Sequence, residues 1–329
     1  MHVPSLEPGL KELRAQRLAS QREALAALVD RLARGGRLVR TRRLPGGLGC
    51  RMDVLEVERA DGSRWKVSLR RFVREHRFSA PEHVTHEFDV LRLVEGAEIP
   101  APRPLLLDAK GQYFGVPALV LSYLPGRPLF ASKNVAAWTN GLARALRVVH
   151  AVTPRRFDLS GLNVYLRDGM RERIEQWEDT VQTDPLTAEI HRVLEAGLES
   201  LDFSAPTLVH DDYWPGNTIG CRGRLVGIVD WTAAELGDPR ADVAQCRVDL
   251  IFSHGIEVAD AFREDYERLA GRALHDLWYF DLFRGLNALL QCEQWLEGYH
   301  DLGLRHLSVA DVDARLRVFL RRALAEGRR

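Results

Sequence analysis

The sequence predicts an α+β fold in two parts, a small β-rich part followed by a larger and mainly helical one. Three observations carry that prediction. Residues 51–72 read as a β-hairpin, the apolar spacing turns helical after Pro125-Gly126, and it stays helical beyond Asp242. We divide the chain into an N-terminal helical extension over 1–36, a small β-rich segment over 37–124 and a helical segment over 125–329.

Residues 9–34 fit an amphipathic helix, with Leu25, Leu28, Val29 and Leu32 at i, i+3, i+4 and i+7. Gly35-Gly36 ends it. Met52 and Val54, then Leu55 and Val57, alternate with Asp53, Glu56 and Glu58, with one break in phase. Asp61-Gly62 supplies a turn, and Trp65 to Phe72 is the partner strand. Ser79 to Glu82 carries a helix start, with Ser79 as cap, Pro81 in the first turn and Glu82 completing a capping box. That helix runs to Gly96, and two apolar runs, Pro104–Leu107 and Val116–Leu121, read as strands. Further helices are predicted over Trp138–His150, Arg171–Thr180 and Leu186–Leu201, with a short β interlude over Thr207–Trp231.

Composition narrows the function. The chain has 46 Lys+Arg against 46 Asp+Glu, a net charge of zero, so it lacks the surplus cations of a nucleic-acid-coating protein. No uncharged run is long enough to span a membrane, no targeting pattern opens the sequence, and Cys50, Cys221, Cys246 and Cys292 form no C-x-x-C pair. The expectation is a cytoplasmic protein with free thiols and with neither a nucleic-acid nor a membrane partner. Oligomeric state is not readable.

The informative stretch is Leu208 to Asp242. His210, Asp212 and Asn217 fall in a loop after one strand, and Asp230 follows Asn217 by thirteen residues, at the end of another. Arg222 to Arg224 is a turn between two short strands, so Asp212, Asn217 and Asp230 converge at one rim of a hairpin. Phosphoryl transfer needs these types. Mg²⁺ takes hard oxygen ligands, which Asp230 and Asn217 offer, and Asp212 is the candidate to orient an acceptor hydroxyl and take its proton.

His-x-Asp-x₄-Asn followed by Val229-Asp230-Trp231 and by Gly237-Asp238-Pro239 resembles the catalytic loop and metal motif of the aminoglycoside phosphotransferase family. The resemblance covers roughly residues 40–320. It implies a two-lobed protein-kinase-like fold, with a nucleotide-binding N-lobe over 37–124 and a C-lobe over 125–329 carrying the catalytic loop and acceptor site. It also implies ATP or GTP as donor, Mg²⁺ as cofactor, and a small-molecule hydroxyl, aminoglycoside-like, choline-like or another metabolite, as acceptor. The implied catalytic residue is Asp212, and the implied metal ligands are Asn217 and Asp230. Arg70 is similar to the phosphate-side cation of the family's third strand, with Ser68 and the rival Lys66 on the same strand face, and Glu87 matches its helix partner. Gly46, Gly47 and Gly49 would cover the phosphates, though they lack the full G-x-G-x-x-G spacing. Ser122, Tyr123 and Leu124 would be the hinge that reads adenine. Most family members carry a small residue where Asp211 sits, so Asp211 is expected to contribute little.

His210 is expected to brace the loop rather than carry protons, and Asp238 and Asp242 to cap or brace. Asp281, Glu293 and Glu297 are candidates for a cationic acceptor, with solvated helix faces the simpler explanation. Two rival classes remain: an inactive nucleotide-binding regulator of the same fold, and a metal phosphohydrolase using His210-Asp211 with His150 or His191. A P-loop kinase is excluded because no Gly-Lys-Ser/Thr occurs. A protein kinase is disfavoured because Asp230 is not followed by a long activation segment.

Overall fold

Helix α1 (Pro8–Leu32) opens the chain in a computed structural model that describes residues 8–44, 50–73, 80–128, 130 and 134–328, with side chains from residue 20 onward. Gly35, at φ 73°, turns the chain after α1, and its amide is held by Asp30 at 3.0 Å. The chain divides into two compact units, residues 1–88 with 103–123, and residues 89–102 with 124–329. The helical extension is therefore part of the first unit rather than a separate segment.

The first unit is built on a five-stranded antiparallel sheet in the order β1-β2-β3-β5-β4. Its strands are β1 (Arg37–Leu44), β2 (Arg51–Glu58), β3 (Arg64–Arg71), β4 (Pro104–Asp108) and β5 (Ala118–Ser122). Leu28 and Val29 of α1 pack with Leu55, Val57, Val67, Leu69 and Val120 of the sheet, so the stripe predicted on α1 is its core-facing side. Ser63 and Gly62 close the β2–β3 turn on Asp61 and Arg59 as the Asp61-Gly62 signal requires.

Two features of this sheet were not legible. The break in phase along β2 is not a bulge, since β2 and β3 pair residue for residue from Arg51↔Arg71 to Glu58↔Arg64. Asp53 is instead buried and accepts from Arg71 at 2.5 Å and from Arg51 at 3.0 Å, so a charged residue occupies an interior position. Strand β1 went unseen because it is an Arg-rich edge strand with little buried surface, and edge strands carry such charges without cost.

Helix α2 (Pro81–Gly96) begins in the first unit and ends in the second. The predicted cap Ser79 lies outside the described residues. In the second unit, α3 (Val135–Val149), α4 (Arg167–Val181) and α5 (Pro185–Gly197) precede the β interlude. That interlude contributes β8 (Thr207–Val209), β9 (Thr218–Cys221) and β10 (Arg224–Ile228) to two three-stranded sheets, which short strands from outside it complete. One contains β6 (Arg127–Pro128), β9 and β10, and the other β7 (Val164–Tyr165), β8 and β11 (Glu235–Gly237).

The remainder is helical: α6 (Pro239–Ser253), α7 (Ile256–Ala270), α8 (Leu277–Leu290), α9 (Cys292–Asp301) and α10 (Val309–Gly327). Helices α8 and α9 are separated at Gln291, whose amide closes the end of α8 on Asn287 and Ala288. Almost every residue of α6 is buried, which makes it the central post of the unit. It starts on the Asp238 cap with Pro239 in its first turn.

Candidate active site

Strand β8 delivers the chain to His210, a 3₁₀ turn over Pro215–Asn217 delivers it to β9, and β9 and β10 form the hairpin that ends at Asp230. Arg222 and Gly223, at φ 53° and 77°, make the tight connection that the sequence indicated. The ladder is extended beyond Ile228 by Val229, whose amide donates to the Asn217 carbonyl at 2.8 Å. Backbone pairing alone therefore sets Asp230 beside Asn217.

Asn217 is buried, and its amide nitrogen donates twice to Asp212, to the carbonyl at 2.9 Å and to Oδ2 at 2.8 Å. Its Oδ1 is thereby turned away from Asp212. Asp230 sits at φ 64°, with Oδ1 accepting from the Thr232 hydroxyl at 2.8 Å. Asp211 sits at φ 61°. Two non-glycine residues held in the left-handed region within one motif mark a backbone that its surroundings over-determine, a pattern concentrated at functional sites.

Those surroundings are specific. The Asp242 carboxylate, in the first turn of α6, accepts from the His210 and Asp211 amides at 2.7 Å each and meets His150 Nε2 at 3.0 Å. His210 is fully buried, meets the Val229 carbonyl through Nε2 at 3.0 Å, and accepts the Asp212 amide on Nδ1 at 3.3 Å. Burial lowers the His210 pKa, so the ring is neutral and acts as a spacer between the two halves of the site. Burial pushes the Asp242 carboxyl up, but the hydrogen bonds and charge of His150 and the His210 amide outweigh it and hold the group below its usual range. The brace readings of His210, Asp238 and Asp242 thus hold. Trp231 packs on His210 at 4.7 Å between ring centroids, and the Tyr213 hydroxyl ties the loop to the Leu142 carbonyl of α3 at 2.8 Å.

Burial, reinforced by the charges of Asp230 and Asp249, pushes the Asp212 carboxyl well above the usual range, and the Asn217 hydrogen bond opposes this only in part. Oxygen-rich donors around such a carboxylate suit a hard divalent cation. Asp249 was missed in the sequence. It stands seven residues after Asp242, two turns along the same face of α6, and that spacing was the available signal. Its carboxylate accepts from Gln245 at 2.7 Å and from the Tyr299 hydroxyl, and burial lifts its pKa to about 7.

In the first unit, Arg70 and Glu87 form a buried pair, Nη1 to Oε1 at 2.6 Å. Ser68 is buried on the same strand, whereas Lys66 is exposed. The Ser122 amide donates to the Arg103 carbonyl and its hydroxyl accepts from the Arg103 amide, both at 2.8 Å. Tyr123 and Leu124 follow, half-buried, at the junction of the units. Gly46, Gly47 and Gly49 lie outside the described residues.

Three acidic candidates for a cationic acceptor do not gather. Asp281 is buried and paired with Arg247 at 3.0 Å, while Glu293 and Glu297 are exposed. The hydrolase reading also fails on geometry. His150 is engaged by Tyr266 and Asp242, His191 by the Ile174 carbonyl and Glu195, and His210 as described. Among the described residues, no group of three or more His, Cys, Asp or Glu could hold a metal.

A model of the phosphotransferase enzyme family matches residues 53–278, from Asp53 in β2 to Trp278 in α8. The fold is shared with the crystal structure of aminoglycoside phosphotransferase APH(4)-Ia, at a TM-score of 0.64 and 19% identity over 92% of this chain and 98% of that one. A thermostable mutant of that enzyme in ternary complex with ADP and hygromycin B gives 0.61 and 18%, over 86% and 94%. Macrolide 2'-phosphotransferase MphH from Brachybacterium faecium gives 0.56 and 20%, over 91% and 97%.

Among curated proteins, "Probable acyl-CoA dehydrogenase IBR3" of Arabidopsis thaliana is 28% identical over 184 residues, 49% of this chain and 22% of that protein. Acyl-CoA dehydrogenase family member 10 of Mus musculus is 24% identical over 196 residues, 55% of this chain and 18% of that protein. The chain spans about a fifth of the length of these relatives. With the family model covering well over half of its length, the chain belongs to the aminoglycoside phosphotransferase family of phosphotransferase enzymes.

Proposed function

We propose that this chain is a two-lobed, protein-kinase-like small-molecule kinase, active in the cytoplasm, that moves the terminal phosphoryl group of ATP or GTP to a hydroxyl acceptor. The observation that carries this reading is the Asp212–Asn217 hydrogen bond joined through Val229 to Asp230, which gathers base and metal-ligand types on one rim. The acceptor oxygen attacks the terminal phosphorus, the bond to the bridging oxygen of the diphosphate breaks, and the hydroxyl proton passes to Asp212. Asn217 and Asp230 would hold Mg²⁺, which offsets phosphate charge when bound. In the first unit, Arg70, kept in place by Glu87, would orient the phosphates, with Ser68 beside it, Gly46, Gly47 and Gly49 covering them and the hinge after β5 meeting the base. With the Ser122 amide taken by Arg103, base recognition falls to the backbone of Tyr123 and Leu124.

Aminoglycosides and macrolides are one acceptor class, by likeness to the solved neighbours. A second class is favoured by the curated relatives. Both are named acyl-CoA dehydrogenases and contain a segment like this chain, so a hydroxylated acyl thioester would bring the two activities onto one substrate. The test is ADP release and mass-detected product over a panel of aminoglycosides, macrolides, choline-like alcohols, hydroxy acids and hydroxyacyl thioesters. A phosphorylated acceptor is expected. ATP binding without turnover on any of them would replace the kinase reading with that of an inactive nucleotide-binding regulator.

A further inference from the structure

Asp211 is the point at which the loop departs from the family pattern, and its surroundings assign it a use. It occupies φ 61°, a conformation that glycine takes freely and that an aspartate adopts at a steric cost. Its amide is already held by Asp242, so the backbone does not need this side chain for its hydrogen bonding. The carboxylate pairs instead with Arg284, whose guanidinium comes from α8, seventy-three residues along the chain. Arg284 is 9% exposed, its Nε is buried without a hydrogen-bond partner, and Asp211 is its one ion-pair partner among the described residues. One turn further along α8, Asn287 accepts from Arg173 of α4 at 2.9 Å, which ties the same helix to a second one.

A buried guanidinium with one ion-pair partner is costly to strand, because removing that partner leaves a desolvated charge without its direct contact. Asp212 is the next residue, and the peptide joining it to Asp211 carries any rotation of one into the other. We propose that Arg284 is a positioning residue for phosphoryl transfer, acting through Asp211 to fix the peptide that aims Asp212. α8 thereby becomes part of the catalytic loop's support. The inference rests on the kinase reading of Asp212, and it replaces the expectation that Asp211 contributes little.

The test is a double-mutant cycle with Asp211→Gly, Arg284→Met and both together. ADP release is measured with the acceptor that the panel yields, or with water alone where it yields none. Glycine accepts the left-handed backbone, so Asp211→Gly removes the carboxylate and spares the turn. Each single variant should lower kcat about 10- to 100-fold while the ATP KM stays within about twofold, as expected when transition-state alignment alone is lost. The double variant should be no worse than the poorer single, because the two residues act as one unit. Arg284→Lys, which keeps charge but loses the planar fork, should recover part of kcat. Thermal melts of all four variants identify any that are not folded, and Asp211→Asn then substitutes for Asp211→Gly with the same expected direction. A parent that releases no ADP sinks the kinase reading itself. Turnover by the parent with Asp211→Gly at parental kcat, or multiplicative losses in the double variant, overturns the pairing and leaves the kinase reading intact.

Discussion

The catalytic segment of the second unit and the Arg70–Glu87 pair of the first are assembled by different means. Asp212, Asn217 and Asp230 lie within nineteen positions, and main-chain hydrogen bonds place them: Val229 to Asn217, and the His210 and Asp211 amides to one Asp242 carboxylate. Arg70 and Glu87 come from a strand and a helix seventeen positions apart and meet only through side chains, at 2.6 Å. A backbone ladder survives changes at most of the side chains it carries, the Asp242 and Asp211 carboxylates that anchor the loop excepted. A side-chain pair depends on both partners being long enough, charged and buried together.

The comparison can be broken by mutation, beginning where the loss should be greatest. Asp230→Ala removes the charged group proposed to hold the metal, so turnover should fall below detection and Mg·nucleotide binding should weaken. Asn217→Ala removes the neutral group proposed beside it and should cost less. Near-normal activity in Asp230→Ala, read by steady-state kinetics, would remove the metal role from this rim. For the other region, Arg70→Met and Glu87→Gln should each lower kcat/KM for ATP about 10- to 100-fold, with the double change costing far less than the product. Lys66→Met should stay within about twofold of the parent, since Lys66 is exposed. Simple multiplicative losses at Arg70 and Glu87 would mean that they do not act as a pair.

A smaller effect sharpens the view of the second unit as a set of buried carboxylates. Asp249 has its pKa lifted to about 7 by burial, against an unfolded value near 3.8. The folded state then holds a proton that the unfolded state has lost, so this group withdraws stability as pH rises from about 4 to 7. Asp249→Asn removes that dependence. Its melting temperature relative to the parent should therefore be higher at pH 8 than at pH 5, by roughly a few degrees. An equal offset at both pH values would show that Asp249 is already ionised in the folded protein.

What was legible in the sequence follows the same division. The rim of the hairpin could be read because its parts are local: a strand, a turn at Arg222-Gly223, and a fixed spacing from His210 to Asp230. Asp242 could be read as a brace because it opens a helix with a clear cap at Asp238. Asp249 and Arg284 were missed because their importance comes from packing between helices, which leaves only ordinary polar residues on apolar helices in the sequence. Strand β1 was missed because an exposed edge needs no apolar face, and Asp53 because its burial depends on Arg71 and Arg51 folding over it. Asp281 misled for the converse reason, since a carboxylate on a helix gives no sign of the Arg247 that neutralises it.

The central claim is that Asp212 takes the proton of an acceptor hydroxyl at a rim built by backbone pairing. It is tested most directly by comparing kcat and ATP affinity for the parent and Asp212→Asn. Asparagine keeps the shape of the side chain and a carbonyl to accept from Asn217, but cannot take the proton. The account predicts a kcat reduced by roughly 10² to 10⁴, with ATP affinity within about tenfold of the parent. An Asp212→Asn enzyme that turns over at the parental rate would contradict it.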